Sequence, residues 1–303
     1  MKLRAVCFHF IPHLAAFILS GVGVTEQEEK GSGQPQLTAE ERKQVERRSS
    51  PRTEVVYEAI REEGENELSR SSPTLAWDGL AAGLSMGFSL VAEGLLRAHL
   101  SDSAWRPLVS KLGYSVGFLI VVLGRQQLFT ENTLTVILPL LQRPYAATLR
   151  NVLRLWAVVF LANTAGALLF AFVAARTELF EPQTRQAFAE IGREALKSWW
   201  ALTLLKGVFA GWLIAMMVWM LPAAESARFF VVVAMTYVVA LGGFSHIIAG
   251  SVEVFQLVLA GGATWADYFT WMLPTLAGNI IGGTTLVAAL GHAQVVGEAG
   301  KGA

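Results

Sequence analysis

Six apolar segments dominate this chain, and their lengths restrict what it can fold into. They run from about Leu75 to Leu96, Leu112 to Leu141, Ala147 to Ala175, Ser198 to Leu221, Phe229 to Ala260 and Tyr268 to Leu290. A helix needs about 20 apolar residues to cross a hydrocarbon core ~30 Å thick, where its backbone polar groups have no water to bond. Segments one, three, four and six fit one helix each. Charge is segregated accordingly. Between Glu40 and Arg70, 16 of 31 positions are Asp, Glu, Lys or Arg, whereas Ser198 to Pro222 holds only Lys206. The composition, 53% hydrophobic and 16% charged, is too apolar for an ordinary soluble domain, which has roughly 25% charged residues. The expectation is an all-α membrane protein.

Segments two and five are too long for one span and are interrupted. Arg125-Gln126-Gln127 and Glu131-Asn132 flank Leu128-Phe129-Thr130 in the second. Gly242-Gly243, Phe244-Ser245-His246 and Gly250 interrupt the fifth. Each reads as two half-helices around a short irregular turn. Thr130 lies 55 residues beyond Leu75, and His246 lies 54 beyond Gly192. Three spans per half, each with a broken middle span, is the pattern of a 3+3 inverted repeat. Irregular backbone at membrane depth survives only beside protein or a water-filled cavity, so two matched breaks point to one shared path. The competing picture is a pair of kinked helices without a pore.

Outside this body, residues 1–36 read as a disordered extension and residues 37–72 as a polar, partly helical segment. The pore domain then covers residues 73–292, with a short tail at 293–303. Met1 to Val24 begins like a signal peptide, with Lys2 and Arg4, but His9, Pro12 and His13 break its apolar run and favour a plain extension. Net charge is zero and no dense basic block exists, so nucleic acid is not an expected partner. The single cysteine, Cys7, offers neither an internal disulfide nor a metal site, and no cofactor is called for. No Walker loop, His-Glu-x-x-His or nucleophile elbow suggests an enzyme.

The residue best placed to carry chemistry is His246, an imidazole inside a Gly-rich break with no carboxylate within six positions. An ionisable group in a span is costly and usually faces a cavity or a partner. It serves either as a proton or hydrogen-bond donor to a passing anion or as a structural group holding a freed carbonyl. The matching break in the other half favours the first. Half-helix starts near Thr130 and His246 would present free N–H groups to an anion, and the hydroxyls of Thr130 and Ser245 would add donors. Glu93 and Arg97, four apart, read as a surface pair, and Asp78 and Arg154 as interfacial. Lys206 either reaches the interface or bonds to the break. Basic residues in the short loops lean toward the first and third loops lying inside, and the charged N-terminal segment leans the other way.

Four stretches resemble the formate/nitrite transporter family: Gly124 to Thr130, Lys206 to Met220, Gly243-Phe244-Ser245-His246, and Pro274 to Gly283. The resemblance covers roughly Leu75 to His292. It implies an aquaporin-like protomer in a homopentamer, in a cell (inner) membrane, with both termini cytoplasmic. It implies a substrate among formate, nitrite, hydrosulfide, lactate and acetate, against the alternative of a neutral-solute channel or a non-transporting protein. By alignment it places Tyr114, Phe118, Leu128 and Phe129 at one apolar constriction, Val239 at the other, and Lys197 in a vestibule. Gly211, Gly250 and Ser245 stand where the family commonly has Asn, Asn, and Glu or Thr. Those departures predict a substrate other than formate or a less selective path.

Overall fold

The computed structural model describes residues 37–48, 51–288 and 291. The expected extension at 1–36 and the tail at 293–303 lie outside the described residues. The chain divides into two compact units at Ser49/Ser50. In the first, α1 (Ala39–Arg48) begins with a reciprocal cap. The Glu41 carboxylate accepts from the Thr38 N–H at 2.8 Å, and the Thr38 hydroxyl accepts from the Glu41 N–H at 3.3 Å.

In the second unit, helix α2 (Thr53–Ser69) leads into α3 (Ser72–His99). Ser71 caps α3, accepting from the Thr74 N–H, and Pro73 fills an early position whose N–H needs no partner. A short helix α4 (Arg106–Ser110) passes through a 3₁₀ turn at Lys111–Tyr114 into α5 (Ser115–Leu123). After five non-helical residues come α6 (Phe129–Thr135) and α7 (Ile137–Gln142). Next are α8 (Ala146–Arg176), α9 (Pro182–Ala195) and α10 (Trp200–Met220). Then α11 (Arg228–Leu241) and α12 (Ile247–Leu259) flank a second gap, and α13 (Trp265–Ile281) runs on into a π-helical stretch at Gly282–Ala288. No strand occurs among the described residues.

Among the described residues four helices are long and apolar enough to cross a membrane: Ser72–His99, Arg106–Leu123, Ala146–Arg176 and Trp200–Ala223. At 1.5 Å per residue, α3 and α8 reach about 40 Å or more, beyond the ~30 Å required. Helices α11 and α12, with 14 and 13 residues, reach only about 20 Å each.

Small residues set the packing. Gly79 and Gly83 of α3 lie against Ala162 and Asn163 of α8, while Gly207 and Gly211 of α10 lie against Thr275 and Asn279 of α13. A side chain at any of these positions would separate the pair, so the small-residue faces join helices within the protomer. Bulky side chains such as Trp77, Leu161, Phe172 and Phe230 point outward and are exposed, as a bilayer environment permits.

The charged residues near the helix ends differ from expectation. Glu93 does not form a surface pair with Arg97. Its side chain is 1% exposed and meets Lys111 at 2.5 Å, because the chain folds back along α3 after His99. Arg97 instead bonds Glu194 at 2.6 Å and Glu190 at 3.3 Å on α9. Asp78 pairs with Arg70. Arg154 donates to the carbonyls of Leu68 and Arg70 and to the Ser72 hydroxyl, tying α8 to the α2–α3 turn.

Candidate functional site

The two gaps share one backbone conformation. Gly124 and Gly242 close their helices near φ −75° (−78° and −71°). The next residues, Arg125 and Gly243, are left-handed at φ 52° and 58°. Gln126 N–H then bonds the Val121 carbonyl at 3.0 Å, and Phe244 N–H bonds Val239 at 3.0 Å, the reach-back of a Schellman ending. Leu128 (φ −104°, ψ 127°) and His246 (φ −102°, ψ 127°) then start the following helices. The positions correspond at a constant offset of 118 residues (243 minus 125, and 246 minus 128). Sequence spacing sets Thr130 opposite His246, two residues off this register. Leu128 is the equivalent of His246, and Phe129 and Thr130 already belong to a helix.

Each gap is held by one asparagine. Asn163 of α8 accepts from the Phe129 N–H at 2.9 Å and donates to the carbonyls of Gln127 at 2.8 Å and Gly79 at 2.7 Å. Asn279 of α13 accepts from the Ile247 N–H at 2.8 Å and donates to Ser245 at 2.8 Å and Gly207 at 2.9 Å. Both amides are fully buried. Each fixes the first free N–H of a helix and the carbonyl just before that helix's cap, which no ladder satisfies, and ties both to the neighbouring helix through the Gly79 or Gly207 carbonyl. Neither was singled out from sequence. The available signal was a lone amide inside the apolar run Leu161-Ala162-Asn163-Thr164, where an unpartnered polar group is costly.

The gaps meet at one bond. Thr130 Oγ1 lies 2.8 Å from His246 Nε2, and both residues are buried. His246 Nδ1 accepts from the Ala249 N–H at 3.2 Å. A nitrogen that accepts carries no proton, so the ring is neutral and its hydrogen sits on Nε2, directed at Thr130. Phe118 meets the imidazole edge-on at 4.9 Å, and Tyr114 lies 5.3 Å from Phe118. Leu128 and Val239 are fully buried nearby in the core. Phe129 packs instead on Phe160 and Trp156, at 5.3 and 6.1 Å, as part of the α6–α8 contact.

Two cavities adjoin these residues. Cavity 1, about 270 Å³, reaches His246, Ser245, Tyr114 and Val239, and its charged lining is Lys111, Lys206, Glu194 and Glu253. Cavity 2, about 630 Å³, lies along the first gap and is lined by Arg125, Gln126, Gln127 and Glu131, acidic residues of α2, and Arg228. Phe118, Leu128, Phe129 and Thr130 line neither. Lys206, left undecided by the sequence, stands with its Nζ 3.8 Å from where a Cβ on Gly243 would lie. Lys197 is exposed just beyond α9 and is not part of the cavity wall. Outside the spans, burial alone would raise the Glu194 carboxyl. The hydrogen bond from Arg97 and the Lys111 charge outweigh that and hold it below the ordinary carboxylate range.

A buried polar contact at the meeting of two helix starts, with a cavity reaching one of its partners, marks the candidate site in a body of long apolar helices. Comparison with known proteins fixes the family. The model for formate/nitrite transporters matches residues 54–293, and the chain belongs to that family. It is 44% identical over 245 residues to the inner membrane protein YfdC of Escherichia coli, covering 80% of this chain and 79% of that one. A formate-nitrite transporter of Plasmodium knowlesi is 25% identical over 256 residues, covering 78% and 81%. Among solved structures, an ion channel of the same family superposes with a TM-score of 0.70 at 16% identity, over 79% of this chain and 98% of that one. A pentameric formate channel with formate bound gives 0.61 at 19%, over 74% and 98%. These two establish the likeness of fold.

Proposed function

We propose that this protein carries small monovalent anions of weak acids, formate, nitrite or a similar species, through a path centred on His246. The carrying observation is the 2.8 Å bond between Thr130 and His246, made where two gaps of equal geometry converge. In this reading α4–α7 form a broken second span and α11–α12 a broken fifth, within a 3+3 inverted repeat. Protomers assemble as homopentamers, in keeping with the similar formate channel, which is pentameric. Both termini face the cytoplasm, which puts cavity 2 on that side.

An anion enters cavity 1 past Lys206, with Lys197 farther out, or cavity 2 past Arg125. It then meets an apolar section formed by Tyr114, Phe118, Leu128 and Val239. A bare charge is rejected there, since stripping its water without compensation costs many kcal/mol. His246 offsets part of that cost by turning its Nε2–H from Thr130 to the anion. Because Nδ1 is held as an acceptor, the ring has one proton, and giving it up would leave an imidazolate. The histidine therefore holds the anion with a strong hydrogen bond rather than supplying the proton itself, while the dry apolar section on either side favours the neutral acid and so assists protonation of the anion by water. Thr130 and Ser245 accompany it as polar lining.

Proteoliposomes containing the full chain test this. Uptake of formate or nitrite is expected to rise as external pH falls, and His246→Asn is expected to lower it at least tenfold. Uptake independent of pH and untouched by His246→Asn would point to a neutral-solute channel.

A further inference from the structure

Cavity 1 holds a buried hydrogen-bond donor that the mechanism above does not use. Trp271, on α13, is 4% exposed, and its indole forms part of the wall shared with His246, Lys206 and Tyr114. Its Nε1–H has no hydrogen-bond partner among the described residues. Trp156 shows the ordinary case, donating its Nε1–H to the Asn132 carbonyl at 3.0 Å. Buried donors are almost always satisfied, and one that is not calls for an occupant.

The ring is held in place. It lies against Gly250, one turn beyond His246, where an added Cβ would stand 2.5 Å from Cζ2 and 2.7 Å from Cη2. Tyr268 supports it from within α13, with centroids 6.2 Å apart. Only a residue without a side chain at position 250 lets the indole come this near to the His246 turn. The cavity's charges give little net attraction by themselves. Lys111 is engaged by Glu93 at 2.5 Å and Glu194 at 3.7 Å, and Glu253 faces the same space as Lys206. Selection in cavity 1 therefore falls to donors with direction.

We propose that the Trp271 indole N–H is a specificity-determining donor that, with Lys206, seats a small oxyanion in cavity 1 before it reaches His246. This rests on the anion-path reading. The ligand class is carboxylate-like or nitrite-like, with strongly accepting oxygens. A hydrosulfide, whose sulfur accepts weakly, gains little from the indole.

The test is the concentration dependence of formate, nitrite and hydrosulfide flux in proteoliposomes of the full chain. Wild type is compared with Trp271→Phe, which keeps a ring against Gly250 but has no N–H. A hydrogen bond to a charged group is worth roughly 10- to 100-fold in affinity. Half-saturation for formate and nitrite is expected to rise by about that factor, with maximal rates largely kept and hydrosulfide within about twofold. Gly250→Ala, which pushes the ring away, is expected to act in the same direction and serves if Trp271→Phe does not fold. Unchanged half-saturation in both variants, or an equal rise for all three anions, overturns the assignment while leaving the path intact. Absence of any anion flux in wild type defeats both.

Discussion

Replacing Asn279 with leucine removes a hub of similar size from the core. Three bonds vanish: from the Ile247 N–H, to the Gly207 carbonyl and to the Ser245 carbonyl. Ser245 lines cavity 1, so water can replace its bond. The Gly207 carbonyl keeps its bond within the continuous helix α10, so the stranded group is the Ile247 N–H, a helix-start donor in dry packing. A stranded backbone group costs about 1–3 kcal/mol, so a loss of about 2 kcal/mol is expected. At roughly 2–4 °C per kcal/mol for a chain of this size, the melting midpoint in detergent should fall by roughly 4–8 °C. Asn163→Leu strands the Phe129 N–H and should cost a similar amount. The assay is thermal unfolding followed by circular dichroism, with a leucine substitution at an exposed, lipid-facing position as control. If Asn279→Leu melts within about 2 °C of wild type, the asparagines are not what holds the gaps.

Arg125 occupies a left-handed position that costs a side-chain-bearing residue about 1 kcal/mol, whereas its counterpart is Gly243. Arg125→Gly should stabilise by about that amount and Gly243→Ala should destabilise by at least as much, both read from denaturant midpoints. Lys111→Ala leaves the Glu93 carboxylate buried without its partner and should cost about 3–5 kcal/mol, with Glu93→Gln in the same chain restoring most of the loss. Glu194 titrates below the ordinary carboxylate range, so its contribution is complete above that range and disappears as pH falls through the depressed value. Melting curves of Glu194→Gln should accordingly depend less on pH at the acid end than those of wild type.

Much of the plan was legible because bilayer thickness imposes a length on apolar runs. The all-helical body with its long apolar helices follows from that constraint, and the helix stops at Gly124 and Gly242 follow from polar and glycine residues set among apolar neighbours. Residues joined only by the folded chain were not legible. Asn163 gives no hint that it reaches Gly79 and Phe129, and Glu93 gives none that its partner is Lys111 across a turn rather than Arg97 one turn along its own helix. The register of the gaps comes out two residues off because apolar content marks where a helix fails without marking which residue turns left-handed. Lys206 was left open because a long side chain can end in several places, and only the Gly243 backbone shows where this one ends.

The constant spacing of 118 residues gives the molecule a built-in control. A change at any position of one gap has a twin in the other, set in the same backbone but facing different neighbours. Paired substitutions, one at each site and then both together, can separate what a residue type does to the bend itself from what its surroundings demand. Both halves of that comparison sit within a single polypeptide, under one set of solubilising conditions and with one readout.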